Sequence, residues 1–217
     1  MTAPGIAALW PAAIVALTSC SLVAPSREDY VGTPAPTSSS SSSASSNSGS
    51  SSGSSGNECG AASPNLLPNG SFENGQGGWV TFQGNLAVDT APGAPDGTHV
   101  ATLSSETGDF YSIDDDPDTV QNTVAGKTYF ATAYVRAATA SSMGKPVVVH
   151  LRQRPGMRMS DTMNWPSEEY VLDDTFQRIC SQGTATVSDE LLDIYIVQRE
   201  AEPGDAFDVD DVVLQAP

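Results

Sequence analysis

From Lys127 to Ala137 the chain reads Lys-Thr-Tyr-Phe-Ala-Thr-Ala-Tyr-Val-Arg-Ala, and this stretch constrains the fold more than any other. Successive side chains of a strand point to opposite faces, which puts Tyr129, Ala131, Ala133 and Val135 on one side and Phe130, Thr132, Tyr134 and Arg136 on the other. The first set suits a core and the second a polar surface. Pro146 to Arg154 repeats the pattern, with Val147, Val149 and Leu151 set against Val148, His150 and Arg152. Asp193 to Gln198 and Phe207 to Leu214 supply further strands. Clusters of Gly, Pro, Asn and Asp punctuate these runs, and 19 Gly with 15 Pro point to many turns. The reading is an all-β sandwich of eight to ten strands without a helix. With 217 residues and 39% hydrophobic content the chain holds one core, which excludes a large multidomain enzyme.

The first third of the chain has a different character. Residues 6 to 17 are an uncharged run of 12 interrupted by Pro11, too short for a membrane-spanning helix, which needs about 20 apolar residues. At the extreme N-terminus such a run reads as the apolar region of an export signal. Leu17-Thr18-Ser19-Cys20 resembles the bacterial lipobox, and the resemblance implies lipidation of Cys20 and cleavage before it. Met1 to Gly5 lacks the Lys or Arg usual ahead of that run. The alternative is an ordinary secretory signal with an incidental cysteine. Residues 38 to 55 hold 14 Ser in 18 positions, a composition that cannot bury enough apolar surface to offset the entropy of ordering. The expected organisation is a signal peptide at 1–19, a disordered Ser-rich tether at 20–57 and the sandwich at 58–217. A coil of the tether's length spans roughly 30–37 Å.

Charge narrows the partners. All but one of the 9 basic residues and all but two of the 26 acidic residues follow residue 57, so the sandwich is strongly acidic. Nucleic acid is excluded as a partner, because phosphate binding needs a basic face. Between residues 106 and 118 lie Glu106, Asp109, Asp114, Asp115, Asp116 and Asp118 with no base, read as a solvated loop because like charges this close repel. His99 and His150 are too isolated for a zinc site. If Cys20 carries lipid, Cys59 and Cys180 remain as a pair in an exported protein, and a disulfide is expected, two free thiols being the alternative. Closing so long a loop contributes somewhat over ~4 kcal/mol on the chain-entropy model.

In order along the chain stand Asn65-Leu66-Leu67-Pro68-Asn69-Gly70-Ser71-Phe72-Glu73-Asn74, Gly78-Trp79, Pro95-Asp96-Gly97, Gly126-Lys127-Thr128-Tyr129, and Phe207-Asp208-Val209-Asp210-Asp211-Val212. Together these resemble the CenC-type carbohydrate-binding modules of families 4 and 9, a jelly-roll sandwich related to galactose-binding domains. The resemblance implies a structural calcium where the first motif meets the last strand, with Glu73 and Asp210 or Asp211 as carboxylate ligands. Calcium takes six to eight oxygens at ~2.3–2.6 Å, so backbone carbonyls near Asp96 and Gly97 would complete the set.

It also implies a non-catalytic domain that binds a polysaccharide or cell-surface glycan. Sugar recognition needs flat rings against pyranose faces and planar groups that read hydroxyls, for which Tyr134, Arg136, Trp165 and Trp79 are the candidates. In relatives the tryptophan corresponding to Trp79 packs in the core. No nucleophile or phosphate-binding motif appears, and the chain ends right after the last strand, so no catalysis is expected. The whole reads as an exported monomer, a lipid-anchored lipoprotein of the bacterial cell envelope, by analogy in the outer membrane. The alternative is a structural or adhesive ectodomain that binds a protein partner, and the remote third an accessory component of glycoside hydrolysis.

Overall fold

The computed structural model describes residues 63–156 and 162–217. The signal, Cys20, the tether and Cys59 lie outside the described residues. The described part holds eleven strands: β1 (Trp79–Phe82), β2 (Gly84–Thr90), β3 (His99–Ser105), β4 (Asp109–Asp115), β5 (Thr128–Ala137), β6 (Pro146–Arg154), β7 (Met163–Pro166), β8 (Tyr170–Val171), β9 (Gln177–Thr184), β10 (Leu191–Ala201) and β11 (Ala206–Gln215). A single 3₁₀ turn, Ala140–Ser142, is the only helical element among the described residues. The count exceeds eight to ten because β7 and β8 are too short to show an alternation.

The strands form two antiparallel sheets, one ordered β1-β4-β10-β6-β7 with β8 beside β6, the other β2-β3-β11-β5-β9. The core-facing sets hold, while Thr132, Val148 and His150 of the opposite sets, expected on a polar surface, are buried as well. Tyr129, Ala131, Ala133 and Val135 of β5, and Val147, Val149 and Leu151 of β6, are buried together in the space between the sheets. Phe72, Tyr111 and Phe207 are fully buried there, and burying an aromatic or aliphatic side chain of this size stabilises by roughly 1.5–3 kcal/mol. The result is a jelly-roll β-sandwich.

The opening motif is stitched to the last strand. Leu66 N–H donates to Leu214 O at 2.8 Å, and Val212 N–H donates to Gly70 O at 2.8 Å. Asn65 completes the seam, its Nδ2 donating to Val212 O and its Oδ1 accepting from Leu214 N–H, both at 2.9 Å. A bulge in β11 makes this possible: the register to β5 shifts between Asp210 and Val213, with Asp211 at φ 44°. The extra residue re-aims Val212 N–H away from β5 and toward the first segment. Gly70 is required at the crossing, since a Cβ there would sit 1.9 Å from Val212 O.

Candidate functional site

The two tryptophans proposed for sugar stacking face inward. Trp79 is 7% exposed, donates from Nε1 to Asn69 O at 2.8 Å and lies 5.2 Å from the Phe72 ring. Trp165 packs against the core with its indole laid on Gly183 of β9, so close that a Cβ there would meet the ring at 2.3 Å. The Trp79 ring is spent on packing, and the half-buried Trp165 gives one face of its indole to Gly183. Tyr134 and Arg136 do lie on the outer face of the second sheet, as their alternation predicts. Arg136 is engaged there, its Nε donating to Asp208 at 2.8 Å while its guanidinium sits 4.4 Å above the Phe176 ring.

The corner expected to hold calcium is assembled differently from the expectation. Glu73 Oε1 accepts from the backbone N–H groups of Thr98 and His99, each at 2.7 Å, and Oε2 meets His99 Nδ1 at 3.0 Å. These bonds, that from His99 N–H first, hold the Glu73 carboxyl down to about 2. Its lone pairs serve the loop that ends in β3, so Glu73 does not fit as an ion ligand. Asp210 is different. It is fully buried, accepts from Asp96 N–H at 3.0 Å and from Asp211 N–H at 2.7 Å, and burial pushes its carboxyl up to about 6. Burial also raises Asp211, and the charge of Asp96 opposes the ionisation of both. Arg178 is the cation that acts on Asp211, and it offsets only part of this crowding, since burial still leaves both carboxyls raised. Among the described residues no three His, Cys, Asp or Glu converge on one point, so any ion there takes its other oxygens from carbonyls or water.

The acidic run from 106 to 118 is not a solvated loop. Asp109 to Asp115 form β4, and Asp115 and Asp118 are buried. Arg152 Nη2 reaches Asp114 at 3.2 Å, its Nε reaches the two oxygens of fully buried Asp193 at 2.9 and 3.0 Å, and Arg154 pairs with Asp118. Asp115 points inward, accepting from Ile194 N–H at 2.9 Å and Thr119 N–H at 2.7 Å, and burial raises its carboxyl to about 7. Two arginines from β6 neutralise Asp114 of β4, Asp118 just beyond it and Asp193 of the intervening β10, an arrangement invisible without the strand order.

On the outer face of the first sheet these ion pairs border an apolar region that no sequence pattern singled out. Phe82 of β1 and Phe110 of β4 are stacked with centroids 5.7 Å apart and planes at 21°, and they are 51% and 39% exposed. Phe110 leads into a groove of about 520 Å³ floored by His150, Tyr195 and Val197. His150 and Tyr195 stack at 4.3 Å with planes at 8°, and the Arg152 guanidinium lies 4.8 Å over the Tyr195 ring. Flat rings beside hydrogen-bonding groups on a rigid sheet are what a carbohydrate needs. A family model described as a carbohydrate binding domain, CBM_4_9, matches residues 64–201, more than half of the chain. The chain belongs to this family.

Members of this carbohydrate-binding domain family bind glycans, and that coarse role is this domain's. No curated protein matches the chain by sequence. Among solved structures, an arabinose-bound α-L-arabinofuranosidase, MgGH51, is 16% identical over 70% of this chain and 26% of its own, with a TM-score of 0.56. The CBM22-1 xylan-binding domain from Paenibacillus barcinonensis Xyn10C is 19% identical over 71% of this chain and 96% of its own, with a TM-score of 0.55. A cyclase from Fischerella sp. TAU is similar at 18% identity, 70% and 96% coverage and a TM-score of 0.52. Such identities show a shared sandwich alone, and the cyclase shows that the sandwich does not choose the function.

The remaining sequence expectation in the described part concerns Cys180. It is half-buried in β9 and is not a free thiol, while Cys59 lies outside the described residues.

Proposed function

We propose that the carbohydrate-binding domain takes a polysaccharide on the outer face of its first sheet, along the Phe82–Phe110 stack and into the groove over Tyr195. The exposed aromatic pair opening on that groove carries the reading. Two large apolar rings left half in water gain by covering a pyranose face. The test is affinity electrophoresis of the full chain in soluble xylan, arabinan and mixed-linkage β-glucan. Phe82→Ala and Phe110→Ala are expected to weaken retention at least about tenfold, equivalent to ~1.4 kcal/mol or more. Tyr134→Ala is expected to leave it unchanged. The reverse pattern moves the site to Tyr134 and Arg136, and retention by none of the glycans favours a protein partner for the exposed pair.

The same proposal places the domain at a membrane surface of the cell envelope. The lipobox-like Leu17 to Cys20 supports lipidation of Cys20, and the Ser-rich tether gives the domain freedom to search nearby glycan. It pairs Cys180 with Cys59, the other cysteine of the exported chain. It includes calcium near the β11 bulge, with Asp210 and Asp211 rather than Glu73 as side-chain ligands; the ion would supply countercharge to buried Asp210 and half-buried Asp211. Mass spectrometry of the chain extracted from membranes reads all three. The expected species begins at a lipid-modified Cys20, is lighter by two hydrogens than after reduction, and under native conditions carries one calcium removable by chelator. An unmodified start, a mass unchanged by reduction, or a metal-free native species each removes its own part.

A further inference from the structure

His150 is the one buried side chain in the groove that the fold leaves unsatisfied. It is 5% exposed, and both of its ring nitrogens are shielded from water with no hydrogen-bond partner among the described residues. An amide or imidazole buried without a partner costs on the order of 1–3 kcal/mol, a penalty that Val148, two residues earlier on the same face, does not carry. The ring is nevertheless held firmly. β6 is hydrogen-bonded on both sides, with His150 opposite Tyr195 of β10 and Pro166 of β7, and the Tyr195 ring lies flat against it. A rigid polar ring kept dry and unpaired in the floor of a groove is placed for a ligand.

Resting on the groove assigned above, we propose that His150 is its hydroxyl-reading residue and that it restricts the occupant to an uncharged polysaccharide. The charged and titratable groups around it are Arg152 on its own strand, Tyr195 and Arg199 on β10, Asp109 on β4, and Glu169 and Glu200 at the mouth. Burial first, then Arg199 and Arg152, push its imidazole down to about 4. At neutral pH the ring therefore presents one N–H donor and one bare acceptor nitrogen, the same pair of capacities that a sugar hydroxyl offers in return. The mouth residues Arg199, Glu169 and Glu200 are exposed, long and free to change rotamer, so an entering chain displaces them to reach the ring edge. Arg152 is already paired with Asp193 and Asp114, so at the mouth Arg199 stands against three carboxylates, Asp109, Glu169 and Glu200, on a domain that is acidic throughout. The two arginines dominate at the ring itself, but the long-range field of so acidic a domain repels a uronate- or phosphate-bearing polymer and is indifferent to a neutral one.

The experiment is titration of the full chain with soluble xylan and with polygalacturonate, at several pH values from 5.5 to 8. Wild type is expected to bind xylan with an affinity flat across that range, because an imidazole titrating near 4 stays neutral throughout, and to bind polygalacturonate at least tenfold more weakly. His150→Phe keeps the stack on Tyr195 and removes both unpaired nitrogens; it is expected to keep or raise the melting temperature and to lose tenfold or more in affinity. His150→Gln, which restores a donor and an acceptor, is expected to recover part of that loss and stands in where the phenylalanine variant misfolds. Wild-type affinity in both His150 variants, equal binding of polygalacturonate, or an affinity that titrates near 6.5 overturns the proposal. If Phe82→Ala and Phe110→Ala weaken binding while the His150 variants do not, the groove stands and this residue's role falls. If none of the four changes binding, the groove itself is wrong.

Discussion

Gly70→Ala is expected to destabilise the domain by roughly 3 kcal/mol or more, a fall of about 6–12 °C in melting temperature for a sandwich of this size. The added methyl would stand 1.9 Å from Val212 O and 2.9 Å from Val212 C, and both are backbone atoms of a strand paired on its other side. Nothing flexible can yield there. To fit the methyl, the first segment must lift from β11, breaking the hydrogen bond from Val212 N–H to Gly70 O and then those made by Asn65. Gly77→Ala is the control, because a Cβ at Gly77 meets nothing within 4 Å. Thermal unfolding of the two variants decides the matter: equal melting temperatures would show that the seam between the opening motif and the last strand is not a stability element.

The seam also shows what the sequence could and could not reveal. Alternation alone located β5, β6 and the core-facing residues of each, because burial on one side of a sheet imposes a period that survives any arrangement of neighbours. Asp210 was legible as a residue of the closing corner, and the opening motif does run along β11. Glu73 was misassigned for a physical reason: a carboxylate near a loop binds backbone N–H groups as readily as an ion, and residue type does not distinguish the two. Trp79 and Trp165 were misread because an aromatic beside a turn can point either way, and only Gly183 on the facing strand reveals where the second indole lies.

The groove failed to appear for a different reason. Phe82, Phe110, His150 and Tyr195 come from β1, β4, β6 and β10, which are remote in sequence and adjacent only through the sheet order β1-β4-β10-β6. No local pattern links them. The same order hid the partners of the acidic run, which looked solvated because its arginines lie some forty positions further along the chain.

Arg152→Met is expected to be the more damaging of the charge changes, at about 3–5 kcal/mol near neutral pH. Asp193 is fully buried, and Arg152 supplies its closest countercharge while also reaching Asp114. Arg154, 3.6 Å from Asp193, is already committed to Asp118. Burial raises the Asp193 carboxyl even with its partner present, and losing the guanidinium raises it further. An acid whose folded-state value lies above its unfolded value destabilises the fold once ionised and ceases to do so when protonated. The deficit is therefore largest above that raised value and shrinks as pH falls toward the unfolded carboxylate range near ~4. Melting curves of Arg152→Met and wild type should accordingly converge between pH 8 and pH 5. Asp193→Asn added to Arg152→Met should recover much of the loss at pH 8 while leaving pH 5 nearly unchanged. A deficit of constant size at every pH would assign the loss to the aliphatic stem of Arg152 packed beneath its contact with Tyr195. In that case the ion pairs would be a border of the groove rather than the support of its floor.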